Sequence, residues 1–377
     1  MTQFDAIVVG LGAMGSAISY QLATHGFKVL GLEQFSLNHT NGSSHGKTRI
    51  IRTAYFEHPS YVPLVQRAFE LWFQLQSESG EHLIDMTGGL MFGLPGSVLV
   101  SGAIVAAKQN NLTFETLTSN QVRNRFPMFE PHEDEVAVYE KRAGMLFPET
   151  CIQTHAKLAE KFGAILHYDE PVTRWKAGGE VVTINTTKGN YTANFVIFAS
   201  GSWTTELVPD ARLPLQCERQ TVFWFEPKRS RQLFKPGRMP VFMWQTKDSR
   251  YFYGLPDIGD GVKVARHHGG DLTSPQQVRR IVTEQDEAAV RHFLTEHLPM
   301  ASGIRRSSTT CLYTNTPDSH FIIDFHPLHG NVVIASPCSG HGFKFSSAIG
   351  ELVREMVETG RTNLDISLFA INRFNKN

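Results

Sequence analysis

The run Phe4-Asp5-Ala6-Ile7-Val8-Val9 is short, apolar and β-branched, the pattern of a strand buried on both faces of a parallel sheet. Ala17 to Ala23 continues as a helix, and His25-Gly26 ends it. Lys28 to Glu33 is a second strand with an acid at its end. Residues 60–80 carry Val62, Leu64, Val65, Phe69, Leu71 and Trp72 at helical spacing, and residues 152–163 read as another helix. Ala164 to His167, Val181 to Asn185 and Asn194 to Ala199 read as strands, the last running into the small-residue turn Ser200-Gly201-Ser202-Trp203. From Val222 to about Val264 aromatic and β-branched residues alternate in three segments, 222–225, 241–244 and 251–254, which predicts an antiparallel sheet. Asn331 to Ala335 is a further buried strand, followed by a loop and a long helix near 344–359.

This order predicts an α/β chain that leaves a first domain for a sheet and returns to it. The fold expected is a Rossmann-like FAD-binding domain, discontinuous over 1–85, 145–214 and 320–377, with a second, antiparallel-sheet substrate domain over 86–144 and 215–319. No internal repeat or low-complexity linker separates the two. Leu90 to Ala107 holds no charged residue over 18 positions, but Gly93, Pro95 and Gly96 interrupt it, so strand, turn and amphipathic helix is expected rather than a membrane span.

The turn after the first strand is Gly10-Leu11-Gly12-Ala13-Met14-Gly15. Gly10 allows a tight turn, Gly12 lets the backbone approach a pyrophosphate, and Gly15 lets the helix pack close to the sheet. Glu33 lies 18 residues after Gly15, near the spacing of a carboxylate that accepts from a ribose hydroxyl. An acid there disfavours a 2′-phosphate, so FAD or NAD is expected over NADP.

The 377 residues suffice for one large or two ordinary domains, and Lys plus Arg equals Asp plus Glu. Zero net charge gives no support to nucleic-acid or anionic-membrane binding, and any positive field must be local. The chain enters its first strand at once, and Phe374-Asn375-Lys376-Asn377 shows no peroxisomal or retention signal, so the cytoplasm is expected. The four cysteines, Cys151, Cys217, Cys311 and Cys338, form no C-x-x-C pair, and Cys151 and Cys217 read as buried packing residues. No compact histidine pair with a third ligand suggests a metal site.

Several segments together resemble the monomeric sarcosine oxidase and N-methyl-tryptophan oxidase family of amine-oxidising flavoenzymes. They are the glycine fingerprint, His39 to Arg52, Tyr253-Gly254-Leu255-Pro256, Lys263 with His267, Cys311 to Asp318, and Ser339-Gly340-His341-Gly342-Phe343-Lys344-Phe345. They span nearly the whole chain, and the last run is the most restrictive. The resemblance implies FAD linked covalently through Cys311, whose thiolate is a strong nucleophile when positive charge is near. It implies contacts to the cofactor from Gly10, Gly12, Gly15, Glu33, Ser43, Thr48, Gly201, Gly342 and Lys344.

It also implies that Arg52 and Lys344 hold a substrate carboxylate, with Gly340 and Tyr55 beside it, because a planar guanidinium and an ammonium suit that group. His267 and Tyr253 are expected to line the substrate face, with His45 and Arg49 against the flavin. Lys263 is expected to promote oxygen reduction, since a fixed cation stabilises the charge of nascent superoxide. The activity implied is oxidation of sarcosine or another N-methyl or cyclic amino acid, with dioxygen as acceptor, by a monomer. Alternatives from the residues themselves are an NAD-linked dehydrogenase and a nucleotide-binding sensor. Pro337 and Cys338 depart from the family, which has glycine and an aromatic there. The loop Tyr55-Phe56-Glu57-His58 is either a cover for the pocket or an ordinary connection.

Overall fold

The computed structural model describes residues 2–375. Met1, Lys376 and Asn377, on which part of the targeting expectation falls, lie outside them. Five strands run parallel in the order Ile165–His167, Val29–Leu32, Thr2–Val9, Asn190–Phe198, His329–Ser336. The hairpin Val172–Gly178 and Val181–Thr186 and the strand Ile322–His326 extend this sheet antiparallel. In the first strand Ala6 and Val8 pack under the helices Ala13–Thr24, Tyr61–Ser79 and Ser346–Thr359, while Ile7 and Val9 join the core on the opposite face. Burial on both faces explains why the strand shows no polar alternation. A Cβ on Gly15 would stand 1.7 Å from the Gly10 carbonyl oxygen, so only glycine lets the first helix start this close to the turn.

The second sheet has nine strands, including Gln216–Phe225, Tyr251–Leu255 and Val262–His267 from the expected region. It is antiparallel except that Val241–Gln245 pairs parallel with Gly89–Gly93. That pair joins segments far apart in sequence, and a crossover of such length needs no hairpin. One face packs on the helix Glu284–His297 through Phe293, Val290 and Leu294 against Phe223, Phe242 and Trp244. The other face turns Val222, Met243 and Tyr253 toward the first domain's loops.

Leu90 to Ala107 does resolve into strand Gly89–Gly93, a turn and helix Val98–Gln109. Among the described residues no helix is long and apolar enough to cross a membrane. The helix expected at 152–163 spans Pro148–Lys161, with proline at its first position where no N–H is missed. The run near 344 starts as one 3-10 turn, Phe343–Phe345, before the helix Ser346–Thr359.

Candidate active site

A cavity of about 380 Å³ lies between the two sheets. Its walls run from Gly10, Gly12 and Glu33 past Ser43, Gly201 and Cys311 to Gly340, Gly342, Arg49, Arg52, His267 and Lys344. At the glycine end, Glu33 is buried and its two oxygens accept from the Leu11 N–H at 2.8 Å and the Phe35 N–H at 3.1 Å. Burial raises the Glu33 pKa above the usual carboxylate value. His39, which had no expected role, also lines the cavity, its Nε2 3.6 Å from Glu33. Gly15 supports the turn from behind rather than lining the cavity.

Cys311 sits in the strand Arg305–Asn315, the outer neighbour of Gln216–Phe225. Its side chain reaches the cavity with Sγ 3.8 Å from the Ser43 carbonyl oxygen. Ser43 Oγ donates to the Leu312 carbonyl at 2.5 Å, which ties the polar loop to this strand. The other cysteines differ in place: Cys151 and Cys217 are buried, and Cys338 lines the cavity with Sγ 2.9 Å from Ser336 Oγ.

The loop carrying Arg49 folds around backbone carbonyls. Arg49 lines the cavity and donates to the carbonyls of Ser43, His45 and Thr48. Lys263 is buried and donates to the Gly46 and Thr48 carbonyls at 2.8 and 2.6 Å, so it anchors the loop from behind and does not itself form the cavity wall. Burial, and then the charge of Arg49, hold the Lys263 pKa well below that of a free lysine. His45 and Thr48 also stand behind the wall. His45 Nε2 donates to the Thr310 carbonyl at 3.0 Å, and burial lowers its pKa to about 4, so the ring is neutral at pH 7. Glu149, another residue without an expected role, accepts from the Gly46 and Lys47 N–H groups at 2.7 and 3.0 Å and fixes the kink.

Arg52 is 3% exposed; its Nη2 donates to both Glu57 oxygens at 2.8 Å, its Nη1 donates to the Ala54 carbonyl at 2.8 Å, and its Nε has no partner among the described residues. Burial alone would raise the Glu57 pKa, but Arg52, His341 and Lys344 outweigh it and the carboxylate stays ionised. Of residues 55–58 only Glu57 lines the cavity. Glu140, fully buried, accepts from the Thr53 and Ala54 N–H groups and fixes the backbone that presents Arg52. Lys344 is buried as well, donating to the His341 carbonyl at 2.8 Å and the Tyr55 hydroxyl at 3.3 Å. Tyr55 stands behind both cations, its ring 4.3 Å from the Arg52 guanidinium carbon, and does not reach the cavity. Burial, then Arg52, bring the Lys344 pKa down to about 7. Tyr253 and His267 line the same region, and His267 Nδ1 lies 3.1 Å from the Tyr313 hydroxyl. Burial, then His268, keep His267 well below its usual pKa and hence neutral. Tyr313 is two residues from Cys311, so it shares that strand's cavity-side face, a relation readable once the strand is known.

The sequence profile of the FAD dependent oxidoreductase family matches residues 5–356. The chain is 42% identical over 378 aligned positions to the monomeric sarcosine oxidase of a Bacillus species, covering 99% of this chain and 96% of that protein. It is 40% identical to the monomeric sarcosine oxidase of Streptomyces avermitilis, with 97% and 96% covered, and 35% identical to the N-methyl-L-tryptophan oxidase of Yersinia pestis, with 98% and 99% covered. The chain belongs to the family of FAD-dependent oxidoreductases. Among solved structures, NikD, an unusual amino acid oxidase essential for nikkomycin biosynthesis, superposes with a TM-score of 0.87 at 23% identity over 98% of each chain. L-proline dehydrogenase from P. horikoshii gives 0.85 at 21% over 99% and 98%; at such identities the likeness is one of fold.

FAD fits the residues of this oxidoreductase. The helix Ala13–Thr24 has no acid in its first turn, and its N-cap residue, Gly12, has no side chain, so its free N–H groups and dipole are open to a pyrophosphate. His45 Nδ1 is buried without a protein partner among the described residues. The depressed Lys344 pKa makes a prediction about the oxidoreductase. Between pH 7 and about 10.5 the unfolded chain binds the lysine proton and the folded chain does not, so stability rises with pH across this window and is flat below it. Lys344→Met removes that slope, of about 1.4 kcal/mol per pH unit at most. Denaturant melts of both proteins from pH 7 to 9.5 check this; parallel curves would contradict it.

Proposed function

We propose that the protein oxidises a secondary N-methyl amino acid, sarcosine foremost, to an imine that water hydrolyses to glycine and formaldehyde, while dioxygen becomes hydrogen peroxide. The observation that carries this reading is Arg52 and Lys344, a guanidinium and an amine buried in one wall of a cavity whose far wall is a nucleotide cradle; a bound carboxylate favours the protonated lysine. FAD, when bound, supplies the acceptor for a hydride equivalent and passes the electrons to oxygen.

Each protein group then has a task. Arg52 and Lys344 hold the substrate carboxylate, and Gly340 keeps the wall beside them low. Glu57 already accepts from Arg52 Nη2, so the substrate carboxylate competes with an internal one, and the 55–58 segment acts as the cover. The positive charge that attracts a carboxylate also disfavours an ammonium, so the bound amine is driven toward the neutral form that oxidation requires. Neutral His267, with Tyr253, completes the substrate face without adding charge. Arg49 and Lys263 supply the fixed positive charge that favours electron transfer to oxygen. Cys311, which reaches the cavity, would carry the flavin covalently. The protein works as a monomer in the cytoplasm.

A second reading within the same chemistry rests on Cys338. A thiol lines the cavity where the resembled family has an aromatic ring, which leaves room for a larger substituent, as in N-methyl-tryptophan or a pipecolate-type cyclic amine. Reduction of the flavin by a panel of these amines ranks the two readings.

Arg52→Met is expected to weaken binding of carboxylated amines by about 1.5–3 kcal/mol, the scale of a charge-assisted hydrogen bond. Titration of the flavin spectrum with sarcosine measures it, and an unchanged dissociation constant would remove Arg52 from the role. Acid precipitation of the native protein is expected to leave the yellow colour in the pellet, and Cys311→Ser to release it. Release of all colour from the native protein would rule out the covalent bond while leaving flavin binding intact.

A further inference from the structure

Outside the cavity the fold assembles two groups of histidines and carboxylates that the sequence spacing does not reveal. His132, Glu296 and His297 place one ligand atom each within 4.8 Å of one another, and so do Asp210, His326 and His329. The hydrogen bonds on the far side of each ring separate the two. In the second group His326 Nδ1 accepts the Leu328 N–H at 3.2 Å, so a neutral ring carries its proton on Nε2, which donates to Asp210 at 3.3 Å. Both nitrogens of His326 are thus engaged, and that ring has no lone pair left for an ion.

The first group differs. His297 is 2% exposed and its Nδ1 lies 3.4 Å from the Glu130 carbonyl oxygen. A carbonyl only accepts, so Nδ1 holds the proton and Nε2 presents a bare lone pair. That lone pair lies 3.8 Å from Glu296 Oε2, so two acceptors face each other, in a ring too buried to charge cheaply. His132 Nε2 donates to the other oxygen, Oε1, at 2.7 Å. Among the described residues its Nδ1 makes no hydrogen bond, and the side chain is 39% exposed, so the proton can move to Nδ1 and free Nε2. His292 Nε2 stands 3.6 Å from Oε2 on the same helix. The surroundings are built: the Glu130 N–H donates to the His297 carbonyl at 2.8 Å, and Glu135 accepts from both the His132 N–H and Trp244 Nε1. These groups border a cleft of about 200 Å³ on the substrate domain, away from the proposed active site.

We propose that His132, Glu296 and His297 bind a divalent transition-metal ion of the zinc type. Two imidazoles and one carboxylate suit zinc and its neighbours rather than calcium or magnesium. A backbone carbonyl on the far nitrogen of a ligand imidazole is the usual outer support of such sites. The ion clips the 126–135 connection to the last turn of the helix Glu284–His297 and so strengthens the substrate domain without entering the oxidation.

The test uses chelator-treated holoenzyme and zinc alone. Equilibrium dialysis with elemental analysis is run on the native protein, His132→Ala, Glu296→Gln and the control Asp210→Asn. The expected result is one zinc per chain in the native protein and the control, with affinity lower by about 10- to 100-fold or more in the two site variants. Zinc is also expected to raise the melting temperature of the native protein and not of those variants. Both substituted side chains are more than a third exposed, and a native flavin spectrum reports that each variant folds. No bound zinc, binding unaltered in both site variants, or an equal loss in Asp210→Asn would each overturn the proposal.

Discussion

Arg49, Arg52, Lys263 and Lys344 are gathered around one cavity in a chain with no net charge, and among the described residues only Arg52 has a direct carboxylate partner. Positive charge withdrawn from water is costly unless it is paired or hydrogen-bonded. The fold meets that cost with backbone carbonyls: Arg49, Lys263 and Lys344 all donate to them. Carbonyl dipoles satisfy the donors without cancelling the charge. The field inside the cavity stays positive, and charge that arrives or develops there feels it at low dielectric. The depressed pKa values of Lys344 and Lys263 show how close the arrangement comes to expelling its own protons.

Holding those carbonyls in place is what the two large sheets do together. The loop from Ser43 to Arg52 leaves the parallel sheet, is pinned by Glu149 on one side and by Lys263 of the second sheet on the other, and ends in the small strand Arg49–Ile51. Glu140, from a strand of the second sheet, fixes the next residues. Arg52 is thus aimed by elements of both sheets, and Glu57 orders its guanidinium.

The parallel strands and the first helix were legible because their signals are local: an unbroken apolar run, three glycines at fixed offsets and an acid at a strand end. The strand Arg305–Asn315 was not, because Arg305 to Thr310 is polar throughout and its pairing partner lies some ninety residues away. Cys311 could be singled out by resemblance, but its neighbour Tyr313 needed the strand. Arg52 and Lys344 could be named as carboxylate holders, yet their burial against Tyr55 depends on contacts across most of the chain. The grip of Lys263 on Gly46 and Thr48 joins positions more than two hundred residues apart, and no spacing rule reaches that far. The histidine group at Glu296 was invisible for the same reason.

The account assigns the cations two separate duties, Arg52 and Lys344 to the substrate's fixed charge and Lys263 to the transient charge on oxygen. Stopped-flow measurement of the two half-reactions in Lys263→Met tests that division most directly, one with sarcosine in the absence of oxygen and one with reduced enzyme mixed into oxygenated buffer. The account predicts that reoxidation slows far more than reduction. Equal slowing of both, or reoxidation at the native rate, would contradict it and leave Lys263 as an anchor of the loop alone.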